Sequence, residues 1–200
     1  MKRFTIVLSV LAIVALAVAP WSVLAAKHNK KVEIGQAGPD FKGLKRTDGQ
    51  DRALADYQDA KAVVLIFTCN ACPVAVAYED RMIDLQKKYA DQGVKLVAIN
   101  CNTNENLDAL KERAAAKSFN FDYVMDATQQ SGRDYGASCT PHVFILDGQR
   151  KIAYMGAFDD NMDEGKVRKH HVAAALDALL DGKQPATTET RQFGCGIRYQ

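Results

Sequence analysis

Cys69 and Cys72 stand two residues apart, in Cys69-Asn70-Ala71-Cys72-Pro73, directly after the apolar run Val63-Val64-Leu65-Ile66-Phe67. Five apolar residues in a row read as a strand buried on both faces. A segment of helical period follows Pro73. The spacing therefore predicts a strand, a cysteine pair and a helix, with the pair at the first helical turn. Residues i and i+3 on a helix have Cβ atoms ~5–6 Å apart, and a disulfide needs Cα atoms roughly 4.4–6.8 Å apart. The pair can bridge and separate with little backbone movement. Unpaired N–H groups and the dipole at a helix start favour a thiolate, the reactive form. Pro73 has no N–H to lose there. The chemistry implied is dithiol/disulfide exchange. A static bridge or half of a metal site are the other uses of such a pair.

Three further cysteines complete the set: Cys101, Cys139 and Cys195. An odd count leaves at least one thiol unpaired within the chain. Strands at residues 63–67 and 94–99 end at the same sheet edge, where reactive groups collect. Cys101 follows the second strand, and Cys139 enters an antiparallel strand from that side. Three arrangements are open. A Cys139–Cys195 disulfide can pin the tail, with Cys101 as a small buried residue. Cys139 or Cys195 can relay electrons to the Cys69–Cys72 pair. Or the thiolates can hold zinc or copper(I).

The elements that must position these residues follow from periodicity. Asp48-Gly49 marks the turn of a small N-terminal hairpin. One helix is expected from Pro73 to about Gln92, with Val74, Ala77, Tyr78, Met82, Leu85 and Tyr89 inward and Gly93 as its stop. A strand at 94–99 then implies a parallel pair. Thr103 or Asn104 would cap the next helix. A short strand within 119–125, a short helix at 128–135, strands at 143–146 and 151–155 joined by Asp147-Gly148, and a helix at 167–180 complete the order. Residues 27–38 read as a solvated polar leader, and the last fifteen residues as a tail laid on the surface.

Residues 1–25 carry Lys2 and Arg3, an apolar run and Val23-Leu24-Ala25, the pattern of a cleaved signal peptide. The expected division is a signal at 1–25, a leader at 26–38, one domain at 39–183 and a tail at 184–200. The chain of 200 residues has 26 Lys+Arg against 24 Asp+Glu. The signal holds two of those cations and no acid, so the exported part balances at 24 of each. No net field recruits nucleic acid or an anionic membrane. The membrane would be met only through an uncleaved signal. Export, to the periplasm or beyond, puts the cysteines where disulfides persist.

The order of elements, with Cys-X-X-Cys after the first core strand and Thr140-Pro141 just before the 143–146 strand, resembles the thioredoxin fold. Pro39-Asp40-Phe41 and the 54–61 lead-in resemble the exported redoxin branch, the alkyl-hydroperoxide-reductase/thiol-specific-antioxidant superfamily. Cys139-Thr-Pro-His and Phe193-Gly194-Cys195-Gly-Ile-Arg resemble bacterial exported redoxins as well. The resemblance implies an α/β domain, a central mixed sheet flanked by helices with an N-terminal hairpin extension. It implies a thiol–disulfide oxidoreductase acting in cell redox homeostasis, with Cys69 and Cys72 catalytic. Cys69, more exposed, would attack, and Cys72 would resolve. Thr140 and a cis-Pro141 would dock the partner, a protein thiol or disulfide.

There are departures from the pattern. Thr68 stands where thioredoxins usually carry Trp. The loop to Cys69 is short. The 63–67 strand holds no acid, leaving Glu79, Asp159 or Asp160 as substitute proton acceptors. Pro-X-X-X-Thr-X-X-Cys, the peroxidase pattern, is absent, although a thiol-dependent peroxidase remains an alternative, as does a thiolate carrier of copper(I) or zinc. No phosphate loop or Gly-X-Gly-X-X-Gly occurs, so no cofactor is implied, and no metal ligands are assigned. His142 reads as a packed strand residue and His170-His171 as surface. The acidic run 159–164 lacks the glycine and closing glutamate of a calcium loop.

Overall fold

The computed structural model describes residues 27–200; the signal peptide expected at 1–25 lies outside the described residues. The strands are β1 (Leu44–Arg46), β2 (Asp51–Arg52), β3 (Ala62–Thr68), β4 (Val94–Asn100), β5 (Asp122–Met125), β6 (Cys139–Thr140), β7 (His142–Leu146), β8 (Ile152–Gly156) and β9 (Cys195–Gly196). Seven of them form one mixed sheet in the order β2-β1-β5-β4-β3-β7-β8, and β6 pairs with β9 alone. β3, β4 and β5 run parallel; β7 and β8 are antiparallel to their neighbours. The expected N-terminal hairpin is β1–β2, joined to the sheet through β5.

β3 is central because every one of its residues is apolar or small and all seven are buried. Alternation sends Val63, Leu65 and Phe67 to one face and Val64 and Ile66 to the other. The second face packs against α2 (Glu79–Tyr89), α3 (Leu107–Lys117) and α5 (His171–Leu180), through Met82, Tyr89, Leu110, Val172 and Leu176. The first face is covered by Tyr135 of α4 (Gln130–Tyr135) and by the leader residues Val32 and Ile34.

The leader is therefore not solvated. Val32 and Ile34 are buried, and the backbone continues the sheet at its β8 edge. Gly35 N–H donates to the Ile152 carbonyl and Ile152 N–H to the Gln36 carbonyl, each at 2.8 Å. An open sheet edge has unpaired backbone groups, and this segment satisfies them.

The helix expected at 73–92 is broken. α1 (Pro73–Ala77) and α2 meet at Tyr78, whose φ/ψ of −96°/−8° lies at the edge of the helical region. Its buried ring points inward and its hydroxyl donates to Asp159 Oδ1 at 2.7 Å. The break puts Ala75 in the core and leaves Ala77 exposed. Gly93 ends the segment with φ +85°. Asn106, rather than Thr103 or Asn104, caps α3, accepting from Ala109 N–H at 2.9 Å. α5 begins at His171 rather than Val167. Asp160 Oδ1 accepts from the N–H groups of Arg168 (2.9 Å) and Lys169 (3.1 Å), which holds that stretch as a loop.

Asp159 and Arg81 form a buried pair beneath α1. Arg81 Nη1 donates to Asp159 Oδ2 at 2.5 Å and to the Asn161 carbonyl at 3.0 Å. The guanidinium lies over the Tyr78 ring, 3.7 Å from its centroid.

Candidate thiol site

β3 delivers Cys69 to the end of the sheet, and Cys72 caps α1 three residues later. Only Cys72 therefore belongs to the helix start; Cys69 precedes it in a short loop. That loop is fastened by Glu105. Its carboxylate accepts from Asn70 N–H at 2.9 Å, Ala71 N–H at 3.0 Å and Asn100 Nδ2 at 2.8 Å. The Asn70 side chain accepts from the Tyr123 hydroxyl at 2.7 Å and donates to the Ala109 carbonyl at 3.2 Å.

Both sulfurs face Thr140. Cys69 Sγ is 3.4 Å from the Thr140 hydroxyl, and the Cys72 thiol donates to the Thr140 carbonyl at 3.1 Å. The Thr140–Pro141 peptide is cis. Ala75 N–H donates to Cys72 Sγ at 3.4 Å. The sequence suggested an exposed Cys69, but Cys69 and Cys72 are only 3% and 2% exposed. The C-terminal segment runs across this end of the molecule, with β9 against α1 and paired with β6.

The two thiols differ in acidity. Burial pushes the Cys69 thiol up, and hydrogen bonds from the Thr140 hydroxyl and Cys72 N–H only partly offset it, while the negative Glu105 adds to the rise. Burial also opposes ionisation of Cys72. There, hydrogen bonds from the Cys195 and Thr140 side chains and the N–H groups of Ala75 and Cys195 outweigh it, and the thiol falls below its ordinary value. Cys72 is the more acidic of the two thiols.

The AhpC/TSA family profile matches residues 34–155. The chain belongs to the AhpC/TSA family. This redoxin is also similar to a hypothetical protein from Sinorhizobium meliloti 1021, 33% identical with TM-score 0.80, covering 88% of this chain and 99% of that one. An uncharacterized conserved protein from Geobacillus kaustophilus is 30% identical with TM-score 0.80, over 88% and 97% of the two chains. A putative thiol:disulfide interchange protein DsbE from Chlorobium tepidum is 25% identical with TM-score 0.56, over 61% and 83%. No curated protein matches the chain. The mixed seven-stranded sheet flanked by helices is the thioredoxin-like architecture that the motif order led us to expect.

The redoxin's other cysteines fall into place around this pair, and none of the five is in a disulfide. In the β6–β9 ribbon Cys139 lies opposite Gly196, and Thr140 opposite Cys195. Cys139 and Cys195 thus project to opposite faces, and the structure does not bring them together as a bridge. Cys139 faces the Pro141 carbonyl at 3.6 Å, and burial pushes its thiol up to about 11. Cys101 is buried, its thiol pushed up to about 12 by burial and by Asp126. The tail needs no disulfide as an anchor. Ile197 N–H donates to the Ser138 carbonyl at 3.0 Å, Thr190 N–H to the Met155 carbonyl at 3.1 Å, and the Tyr199 hydroxyl to the Ala137 carbonyl at 2.6 Å. Among the described residues no group of three or more His, Cys, Asp or Glu is placed to hold a metal ion.

None of the three acids proposed from the sequence bonds a sulfur. Arg113 takes Glu79 in a two-point pair at 2.8 and 2.6 Å, Tyr78 and Arg81 take Asp159, and loop N–H groups take Asp160. Glu105, which the sequence reading missed, is the acid whose charge bears on Cys69. Its signal was its place in the loop after β4, which ends at the same edge as β3.

His142 is packed, 1% exposed and 4.5 Å from the Phe144 ring. Burial lowers it from the ordinary 6.5 to about 3. Below pH ~6.5 the unfolded chain takes up a proton that the folded chain refuses, so this group costs stability as pH falls. The slope is about 1.4 kcal/mol per pH unit, so roughly 2 kcal/mol is gone by pH ~5. Urea unfolding of wild type and His142→Gln across this range is expected to show a steeper acid loss in wild type; parallel curves would contradict it.

Proposed function

We propose that this redoxin is an exported thiol–disulfide oxidoreductase that cycles Cys69 and Cys72 between dithiol and disulfide, with protein thiols or disulfides as partners. The observation that carries the reading is the convergence of both sulfurs on Thr140, at 3.4 Å and 3.1 Å. Disulfide exchange needs an attacking thiolate, a neighbouring sulfur to resolve the mixed disulfide, and a place for the partner's chain. Cys72, the more acidic thiol, suits attack on a disulfide presented beside Thr140. One partner sulfur then leaves as thiolate. Cys69 attacks the Cys72 sulfur, closes the Cys69–Cys72 disulfide and releases the second partner thiol. These roles reverse those suggested by sequence. The likeness to a putative thiol:disulfide interchange protein supports the reading, and the signal-like residues 1–25 support export.

Reduction of insulin by dithiothreitol, or reactivation of scrambled ribonuclease, tests the activity. Wild type is expected to accelerate either reaction, and the double variant Cys69→Ser/Cys72→Ser to lose the effect. Equal rates would sink the proposal; hydrogen peroxide consumption without insulin reduction would favour a thiol-dependent peroxidase instead. Cell fractionation that recovered the whole protein from the cytoplasm would remove the export part.

A further inference from the structure

The Thr140 edge already carries an occupant. β9 pairs with β6 so that Cys195 lies directly opposite Thr140. Directly opposed residues of an antiparallel pair project to the same face, with Cβ atoms ~4.5–5.5 Å apart. On that face the Thr140 hydroxyl meets Cys69 Sγ. The Cys72 thiol meets the carbonyl of the same threonine at 3.1 Å, and β9 packs against α1, which Cys72 caps. Three sulfurs therefore surround one threonine.

The chain path that delivers the third sulfur is specific. Gly194 has φ +152°, and a Cβ there would sit 2.1 Å from the Thr140 carbonyl oxygen. Only glycine crosses so close. Beyond it Gly196 and Ile197 continue the ribbon, and Gln129 Nε2 donates to the Arg198 carbonyl at 3.0 Å. The segment thus occupies the docking edge as an extended strand with a thiol at the point where a partner's sulfur would stand. Exposure separates the sulfurs: Cys195 is exposed, whereas Cys69 and Cys72 are buried beneath it. A disulfide arriving from solvent meets Cys195 first.

We propose that Cys195 is a third redox thiol, an internal relay that takes a disulfide from an outside partner and hands it to Cys72. This rests on the reading of Cys69 and Cys72 as the redox couple. In the first step the Cys195 sulfur, passing its proton to the more acidic Cys72 thiolate, attacks the partner disulfide, forming a mixed disulfide and releasing one partner thiolate. Cys72 then attacks the Cys195 sulfur, forming Cys72–Cys195 and releasing the second partner thiolate. Cys69 attacks the Cys72 sulfur, forming Cys69–Cys72 and returning Cys195 as thiolate. One partner disulfide becomes two thiols, and one pair of protein thiols becomes a disulfide. The same steps run backwards when the partner is reduced.

The test uses the exported chain and oxidised glutathione. Cys69→Ser, oxidised and mapped by non-reducing peptide analysis, is expected to hold a Cys72–Cys195 disulfide within the monomer. Cys195→Ser, altered only at an exposed position, is expected to close Cys69–Cys72 about 10-fold or more slowly than wild type. Cys72 and Cys195 left unbridged in Cys69→Ser, or an unchanged rate in Cys195→Ser, would overturn the relay. A wild type that still forms Cys69–Cys72 in those cases keeps the underlying couple intact. A wild type that never forms it overturns both.

Discussion

Cys72→Ser is expected to abolish disulfide exchange, with a fall of roughly 1,000-fold or more, the scale on which loss of an attacking group acts. Cys72 stands at Thr140 beside both alternatives, Cys69 within the motif and Cys195 across the ribbon. A serine hydroxyl there cannot ionise near neutral pH and cannot form the mixed disulfide. Cys69→Ser should behave differently, stalling after attack rather than before it. Stopped reactions of this variant should therefore accumulate a disulfide on Cys72, which mass analysis under non-reducing conditions reads. The pH profile of wild type has a stated sign. The Cys72 thiolate is present above its lowered pKa, so the rate should hold down to that value and be lost as pH falls through it. A Cys72→Ser variant retaining full exchange would show that the attacking sulfur lies elsewhere.

The second large effect is on stability. Arg81→Ala should destabilise the fold by about 3–5 kcal/mol, because it leaves the buried Asp159 carboxylate without its cation. The side chains of Arg81 and Asp159 are 9% and 2% exposed, so solvent screens the pair little. The arginine also serves the carbonyls of Asn161 and Met162 and covers the Tyr78 ring. Arg81→Lys should recover only part, since an ammonium cannot make this set of bonds from one plane. For a domain of this size the alanine variant's Tm should fall by roughly 6–20 °C. A shift below about 2 °C in thermal unfolding would contradict the assignment. Tyr78 also meets Phe193 at 6.4 Å, so the same substitution reaches the segment that carries Cys195.

The contrast between what could and could not be read in advance has a physical basis. β3 was legible because seven buried residues leave an apolar run that nothing else produces. The hairpin was legible from Asp48-Gly49, and α4's stop from Gly136 at φ +66°. These are local signals. The break at Tyr78 was not legible, because it depends on Asp159, eighty-one residues away. The late start of α5 was hidden because Asp160 spends its carboxylate on backbone donors eight and nine residues ahead. The leader was misread because its two apolar residues, Val32 and Ile34, count for little until the β8 edge needs a neighbour.

The site divided in the same way. Cys69 and Cys72 announced themselves by spacing, Thr140 and Pro141 through the resemblance to the thioredoxin fold, and the structure gathers all four. The relative acidity of the two thiols did not, because Cys195 of the C-terminal segment lowers Cys72 while burial and Glu105 raise Cys69. Its position rests on pairing between β6 and β9 and on the passage of Gly194 over Thr140, long-range contacts that no periodicity encodes. Glu105 likewise acts across the gap between two strand ends, on N–H groups thirty-five and thirty-four residues away.

The most direct test of the account is a redox titration of the wild-type chain in glutathione buffers, each sample alkylated and its disulfides mapped. Cys69 and Cys72 should lose their labels together, in one two-electron step, as a bridge between them appears. Labels on both across the whole range, or a bridge joining Cys139 to Cys195 in their place, would contradict it.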